Sequence, residues 1–275
     1  MICKWQELLR ILPQTIRAQV DRLGRDSMKE LRLRLGAAAE LVCSDGSHWL
    51  TGKVSMMERE HCVQAASSYS PWAAQSVAKG YLTIPGGHRM GICGQAVLRE
   101  GAVTGIRNVR SICIRVARDY PGISEQIGNV TGSALIIGAP GWGKTTLLRD
   151  LARRIGQESQ IAVVDEREEL YPLDFPLGKR MDVRSGVPKP QGIDMVLRSM
   201  GPEWIAMDEI TAQGDCMVLL QAYGCGVKLL ATAHAGSRRD LYSRPLYKPL
   251  LDMGVFETLV VLHPDQSYGI ERMLP

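Results

Sequence analysis

Along residues 4–23 the apolar positions Leu8, Leu12, Ile16 and Val20 recur every four residues, with Leu9 and Leu23 beside them. That spacing predicts an amphipathic helix. Pro13 lies inside it and predicts a kink or a split, because proline lacks an N–H and crowds the preceding turn. The alternation Glu30-Leu31-Arg32-Leu33-Arg34-Leu35, ending at Gly36, predicts a strand with one apolar face. Asp45-Gly46 marks a turn, and residues 57–79 read as helix interrupted by serines and Pro71. From Gly80 to Gly105 the chain is rich in glycine and short alternating segments: 81–84, 89–94 and 95–98. They predict hairpin strands with turns at Pro85-Gly86-Gly87 and Glu100-Gly101, followed by a further strand over Ser111–Arg115. Residues 1–120 therefore read as a small α+β domain. Pro121, Gly122, Gly128 and Gly132 mark residues 121–132 as a linker.

After Ser133 the pattern changes to continuous apolar runs separated by helical stretches. The runs are Ala134–Ile137, Ile161–Val164, Trp204–Met207, Lys228–Thr232 and Thr258–Leu262. Strands that are apolar throughout belong to parallel sheets covered on both faces. Residues 133–275 therefore read as an α/β domain.

Composition narrows the class. Seven cysteines, an odd number with no C-x-x-C pair, argue against a disulfide framework and a four-cysteine zinc site. They read as small buried hydrophobes in a reducing compartment. The net charge of +4 is localised: residues 1–34 hold eight Lys or Arg against four Asp or Glu. Such a segment is either a solvated helix face or a surface for an acidic partner, a lipid surface or nucleic acid. A dedicated nucleic-acid binder is usually more basic. No secretory signal and no apolar run near ~20 residues is evident, which predicts a cytoplasmic protein.

The chemistry is concentrated in the second half. Gly138-Ala139-Pro140-Gly141-Trp142-Gly143-Lys144-Thr145, followed by Thr146, matches G-x-x-x-x-G-K-[ST] between an apolar strand and a helix. Glycines let backbone N–H groups face phosphate oxygens, and the helix N-terminus adds positive charge. Lys144 is expected to reach the β- and γ-phosphates and Thr145 to ligate Mg2+. Trp142 is an unusual occupant of such a loop and is given no role beyond its place in it. Trp204–Met207 ends in Asp208 and Glu209, a strand that delivers Asp208 to the metal and Glu209 to the attacking water. Ile161–Val164 also ends in acids, and Glu166 is a second candidate for the general base. His234, after Thr232-Ala233, is a candidate γ-phosphate sensor. Together these predict a RecA-like P-loop NTPase core (of the class with an added catalytic glutamate) that hydrolyses ATP with Mg2+.

The whole chain also resembles the stage III sporulation protein AA family of endospore-forming bacteria. The resemblance is carried by Leu31–Gly36, Gly80–Ile84, Gly87–Gly94, Ser111–Arg118, Gly143–Asp150, Val164–Arg167, Arg198–Met200, Met207–Ile210 and Ala231–His234. That family is similar to the motor ATPases of type II secretion and type IV pili. The resemblance implies a ring, expected to be a hexamer, in the mother-cell cytoplasm. It implies docking to membrane proteins that form a channel between mother cell and forespore. It places Glu166 in an acidic box and Thr232 with His234 in a Thr-x-His box. It also implies an arginine of the N-terminal domain near the γ-phosphate, matched here by Arg89, Arg115 or Arg118. Departures are Asp208-Glu209 where secretion ATPases carry Gly-Glu, the missing four-cysteine zinc element, and Met181 and Arg184.

Three functions stay open at this level. They are an ATP-driven motor on an envelope channel, a RecA-type ATPase dependent on nucleic acid, and a nucleotide-gated scaffold with little turnover. The second needs a basic, aromatic-bearing groove, of which the sequence has little. The third needs only the P-loop, so Asp208, Glu209 and Glu166 argue against it. The N-terminal helix is open between docking a membrane partner and packing on its own domain.

Overall fold

The computed structural model describes residues 1–68, 77, 80–172, 174–265 and 267–273. They divide into two compact units, Met1–Asp119 with Leu173–Phe175, and Tyr120–Pro172 with Pro176–Pro275.

In the first unit Pro13 separates two helices, α1 (Trp5–Arg10) and α2 (Gln14–Gly24). Their stripe of Trp5, Leu8, Leu9, Leu12, Ile16 and Val20 is buried against the unit's own sheet, which answers the choice between docking and packing in favour of packing. Leu23, expected on that stripe, is instead 40% exposed. The sheet is antiparallel throughout and runs β3 (Gly46–Trp49), β2 (Glu40–Cys43), β1 (Met28–Arg34), β6 (Ala102–Arg115), β5 (His88–Arg99), β4 (Tyr81–Ile84). Leu31 and Leu33 are fully buried opposite Ile114 and Ile112, while Arg32 and Arg34 take the other face, as strand alternation requires.

The short segments expected between Arg89 and Arg115 are in fact two long strands. β5 and β6 pair from Arg89–Arg115 to Arg99–Ala102, with irregularities between Val97 and Leu98 and between Cys93 and Gln95. Gly94 permits the second, since a Cβ there would lie 2.7 Å from the Arg107 carbonyl oxygen. The hairpin closes through Glu100 and Gly101, both at positive φ (51° and 79°), the two-residue geometry that suits strand twist. Helix α3 (Met56–Ser68) begins with a capping box: Ser55 Oγ accepts from Glu58 N–H, and Glu58 accepts from Ser55 N–H. The part of the expected helix after residue 68, Pro71 included, lies outside the described residues apart from residue 77.

The second unit holds a seven-stranded sheet in the order β13 (Tyr268–Arg272), β12 (Thr258–Leu262), β7 (Ala134–Ile137), β11 (Lys228–Ala233), β10 (Trp204–Met207), β8 (Ile161–Asp165), β9 (Met181–Ser185). All neighbours are parallel except β12 with β13. All five apolar runs became strands. β9 and β13 are additional edge strands. Helices α5 (Lys189–Ser199), α6 (Gln213–Gly224), α7 (Arg238–Ser243) and α8 (Lys248–Asp252) follow β9, β10 and β11. Ile193, Val196, Leu219, Ala222, Leu241 and Leu250 of these helices pack with Leu135, Ile137, Ala162, Val164, Ile205 and Met207 of the sheet. The alternate residues Ile136, Val163 and Ala206 are buried too, and α4 (Lys144–Ile155) lies against β7, β8 and β11. Both faces are therefore covered, the condition for continuous apolar strands.

Residues 122–124 are fastened to α4. Asp150 accepts from the N–H groups of Gly122 and Ser124 (3.0 and 2.8 Å) and from Ser124 Oγ (2.7 Å). All seven cysteines are free. Cys43, Cys62 and Cys216 are buried as expected, but Cys93 and Cys225 are exposed. Among the described residues no helix is long and apolar enough to cross a membrane.

Candidate active site

The candidate residues of the second unit gather at the carboxyl ends of β7, β8, β10 and β11, where open parallel sheets place their sites. β11 lies between the loop-bearing β7 and the acid-bearing β10.

The loop from Gly138 to Gly143 leaves β7 and enters α4. Gly141 and Gly143 sit at φ +81° and +97°, with open space where a Cβ would go. Conformation, not crowding, is what demands glycine there. Gly138 is crowded instead: a Cβ would lie 3.0 Å from Leu262 and 3.4 Å from the Trp142 ring. Pro140 is exposed and Ala139 half-buried. Gly143 caps α4 without a side chain. The N–H groups of Lys144, Thr145 and Thr146 in the first turn are then available to an anion.

Lys144 is 7% exposed. Its Nζ donates to the carbonyl oxygens of Gly138 (2.9 Å) and Ala139 (3.1 Å) and lies 3.0 Å from His234 Nδ1. Burial pushes its pKa below that of an ordinary lysine, against the opposing pull of Glu209 and Asp208. His234 Nε2 in turn contacts the Glu209 carboxylate. A charged lysine must donate, so Nδ1 accepts and Nε2 carries the proton that faces Glu209; the partners assign this tautomer.

Asp208 accepts from Thr145 Oγ1 (2.8 Å) on one oxygen and from Thr232 Oγ1 (2.7 Å) on the other. Thr145 and Asp208 thus offer adjacent hard oxygens. That donor set fits magnesium, which keeps several waters and takes few protein ligands. Glu209 is one of the few non-glycine residues in the left-handed region, with φ +41°. Its N–H donates to Thr232 Oγ1 (2.9 Å).

Glu166 lies on the loop after β8. Asp165 organises that loop by accepting from the N–H groups of Glu169, Leu170 and Tyr171 (3.0, 2.9 and 2.9 Å). Burial outweighs those bonds and lifts the Asp165 pKa to about 6. A cavity of about 20 Å³ is lined by Glu166, Asp208, Glu209 and Lys189, among others, room for about one water.

The three candidate arginines lie in the first unit. Arg89 and Arg115 are cross-strand partners on its charged face. Arg89 stacks on Tyr81 at 3.9 Å. Arg115 is 66% exposed and pairs with Glu30 at 3.3 Å. Arg118 is committed to carbonyl oxygens between the end of α2 and the start of β1: Gly24 (3.5 Å), Arg25 (2.8 Å) and Met28 (3.3 Å).

Two residues of the site escaped the sequence reading. Lys189 reaches the Glu209 carbonyl oxygen. The hydroxyl of Tyr247 accepts from the His234 N–H at 3.3 Å. A lysine between two prolines and a tyrosine between Leu246 and Lys248 carry no periodic or motif signal, so nothing in the sequence pointed to them.

The glycine loop on β7, the paired acids on β10 and the strand order define a RecA-like P-loop NTPase core preceded by a smaller α+β unit. Two solved structures share this fold. One is the pilus retraction motor PilT with bound ADP, with TM-score 0.65, 14% identity, and coverage of 94% of this chain and 82% of that one. The other is the Legionella pneumophila ATPase DotB, with TM-score 0.58, 16% identity, and coverage of 95% and 80%. The chain belongs to the family described as Sporulation stage III, protein AA, whose profile matches residues 3–272. It is 33% identical to Stage III sporulation protein AA of Bacillus subtilis (strain 168) over 283 residues, 96% of this chain and 92% of that protein.

Proposed function

We propose that this chain is an ATP-hydrolysing motor that works as a ring, expected to be hexameric. It would energise a membrane channel complex between mother cell and forespore from the mother-cell cytoplasm. The observation that carries the ATPase reading is the connected set Lys144–His234–Glu209 beside Thr145–Asp208–Thr232, at the end of one parallel sheet. A P-loop alone would serve binding. The added acids and imidazole serve hydrolysis.

In this reading the N–H groups of the loop and the first turn of α4 hold the phosphates, and Lys144 exchanges the Gly138 and Ala139 carbonyl oxygens for phosphate oxygens. Thr145 and Asp208 would hold magnesium, which when bound neutralises charge on the β- and γ-phosphates. Glu209 orients the attacking water and accepts its proton while the bond from the γ-phosphorus to the bridging oxygen breaks, giving ADP and phosphate. Glu166, on the other wall of the small cavity, is the alternative base. His234 holds the Glu209 carboxylate and senses the phosphate end. Of the three arginines, Arg115 is the one with a largely exposed side chain and few partners, and it would reach the γ-phosphate of a neighbouring copy.

The test is ATP hydrolysis by wild type, K144A and E209Q, with oligomeric mass recorded in the same samples. Turnover by an oligomeric wild type, lost in both variants while E209Q still binds ATP, is the expected result. A wild type that binds ATP yet stays monomeric and inactive, even with its membrane partners, would sink the motor reading. Stimulation by single-stranded DNA that salt suppresses would point to a nucleic-acid motor instead.

A further inference from the structure

Lys189 opens α5 with its side chain 8% exposed. Burying an ammonium group is expensive unless it is paired and hydrogen-bonded. Here the counter-charge is Asp215, itself 4% exposed, whose Oδ2 lies 3.2 Å from Lys189 Nζ. The same Asp215 oxygen accepts from the N–H groups of Thr211 (2.8 Å) and Ala212 (3.2 Å) at the start of α6. The ammonium donates onward to the Glu209 carbonyl oxygen at 2.5 Å and to Thr211 Oγ1 at 3.3 Å. Glu166 Oε2 lies 4.0 Å away.

Both backbone polar groups of Glu209 are therefore held by side chains, the N–H by Thr232 Oγ1 and the carbonyl oxygen by Lys189. That matters because Glu209 is in the left-handed region, a conformation that an L-residue keeps only when its surroundings fix it. The backbone conformation sets the direction of the Glu209 side chain. One ammonium group thus touches the backbone of one candidate base and faces the carboxylate of the other.

We propose that Lys189 is a positioning residue for hydrolysis: it locks the Glu209 backbone and sets the distance between Glu209 and Glu166 across the small cavity. The contacts of Lys189 Nζ are to the Glu209 carbonyl oxygen, Thr211 and Asp215, and phosphate binding is left to the loop, so its loss acts on turnover and spares affinity. The proposal rests on the ATPase reading.

The experiment compares wild type, K189M, K189R and D150N for ATP turnover, KM, affinity for a non-hydrolysable ATP analogue and melting temperature, with rates taken well below every melting point. Asp150 fastens residues 122–124 to α4 and touches neither Lys189 nor the acids, so D150N is the stability control. K189M is expected to lower kcat at least tenfold with KM and analogue affinity within about threefold of wild type. D150N, whose melting temperature also falls, should keep kcat within about threefold. K189R keeps the charge beside Asp215 and guards against failure of K189M to fold. Its planar fork is a poor replacement for a compact ammonium, so it should melt near wild type yet lose kcat at least fivefold. A wild-type kcat in K189R, or kcat losses in K189M and D150N that simply follow their melting temperatures, would overturn the proposal. A wild type that binds the analogue but hydrolyses nothing is a different result, because the ATPase reading then fails and takes this one with it.

Discussion

The imidazole of His234 stands between Lys144 and Glu209, with Nδ1 3.0 Å from the lysine Nζ and Nε2 against the carboxylate. A neutral ring accepting on one side and donating on the other ties the lysine of the glycine loop to the Glu209 carboxylate through a single group. In the proposed ATPase, a shift of Lys144 onto a phosphate would be felt at Glu209. Replacing His234 with alanine should leave the loop's backbone cradle intact and disconnect the two. H234A is expected to bind nucleotide within about threefold of wild type and to lose kcat by roughly 100-fold or more, the range of positioned acid–base groups. Parallel loss of binding and turnover would show that His234 supports the loop instead.

The loop itself depends on conformation at Gly143, whose φ is +97° with open space around a would-be Cβ. G143A must hold a strained backbone, at about 1–3 kcal/mol, or abandon the turn that aims the first N–H groups of α4. Nucleotide affinity is expected to fall more than tenfold. Gly101 is the control, since it shares the positive φ (+79°) and the open surroundings but sits in the β5–β6 turn. G101A should lower the melting temperature without moving nucleotide affinity. Equal affinity losses in the two variants would refute the local account.

The core strands and the glycine loop were legible because their signals are intrinsic to the residues. Ala134–Ile137 and Trp204–Met207 are apolar throughout and buried throughout, so burial on both faces is written in composition. The edge strands of the second unit were not legible. Met-Asp-Val-Arg-Ser (β9) and Tyr-Gly-Ile-Glu-Arg (β13) are mostly polar or half-exposed, and their order comes from backbone pairing with β8 and β12. The long β5–β6 hairpin was read in pieces because Gly94 interrupts the alternation at the irregularity. Arg118 illustrates a further limit: a sequence motif shows an arginine, but only the fold shows that carbonyl oxygens of Gly24, Arg25 and Met28 occupy it. Lys189 was invisible for the same reason, because its burial is a property of three loops meeting.

The fastening of residues 122–124 gives a stability prediction. Asp150 is 4% exposed and accepts from Gly122 N–H, Ser124 N–H and Ser124 Oγ while pairing with Arg153 at 3.0 Å. D150A leaves those donors without their acceptor, at a cost of about 2–4 kcal/mol. The melting temperature of the second unit should fall by several degrees, and proteolysis within residues 120–132 should accelerate. D150N keeps one carbonyl acceptor and should fall between. Unchanged protease resistance in D150A would mean that other contacts hold the segment.

His88 links the stability of the first unit to pH. It is fully buried; its Nδ1 accepts from the Ala117 N–H and its Nε2 faces the Lys4 carbonyl oxygen, both at 3.1 Å. One nitrogen must accept and the other donate, so the neutral Nε2–H ring satisfies both. Burial lowers its pKa from the ordinary 6.5, Arg118 adds to the effect, and the Lys4 carbonyl, Asp174 and Glu7 oppose it. In the window below 6.5 the unfolded chain takes up a proton that the folded chain refuses, so stability rises with pH there and is lost as pH falls through it. The slope for one such group is at most about 1.4 kcal/mol per pH unit. Urea midpoints for the first unit, measured at pH 7.5 and 5.5, should therefore drop in wild type. Glutamine cannot titrate, so although H88Q should be weaker at both values, its midpoint should change less between them. An equal pH difference in the two proteins would assign the acid sensitivity to other groups.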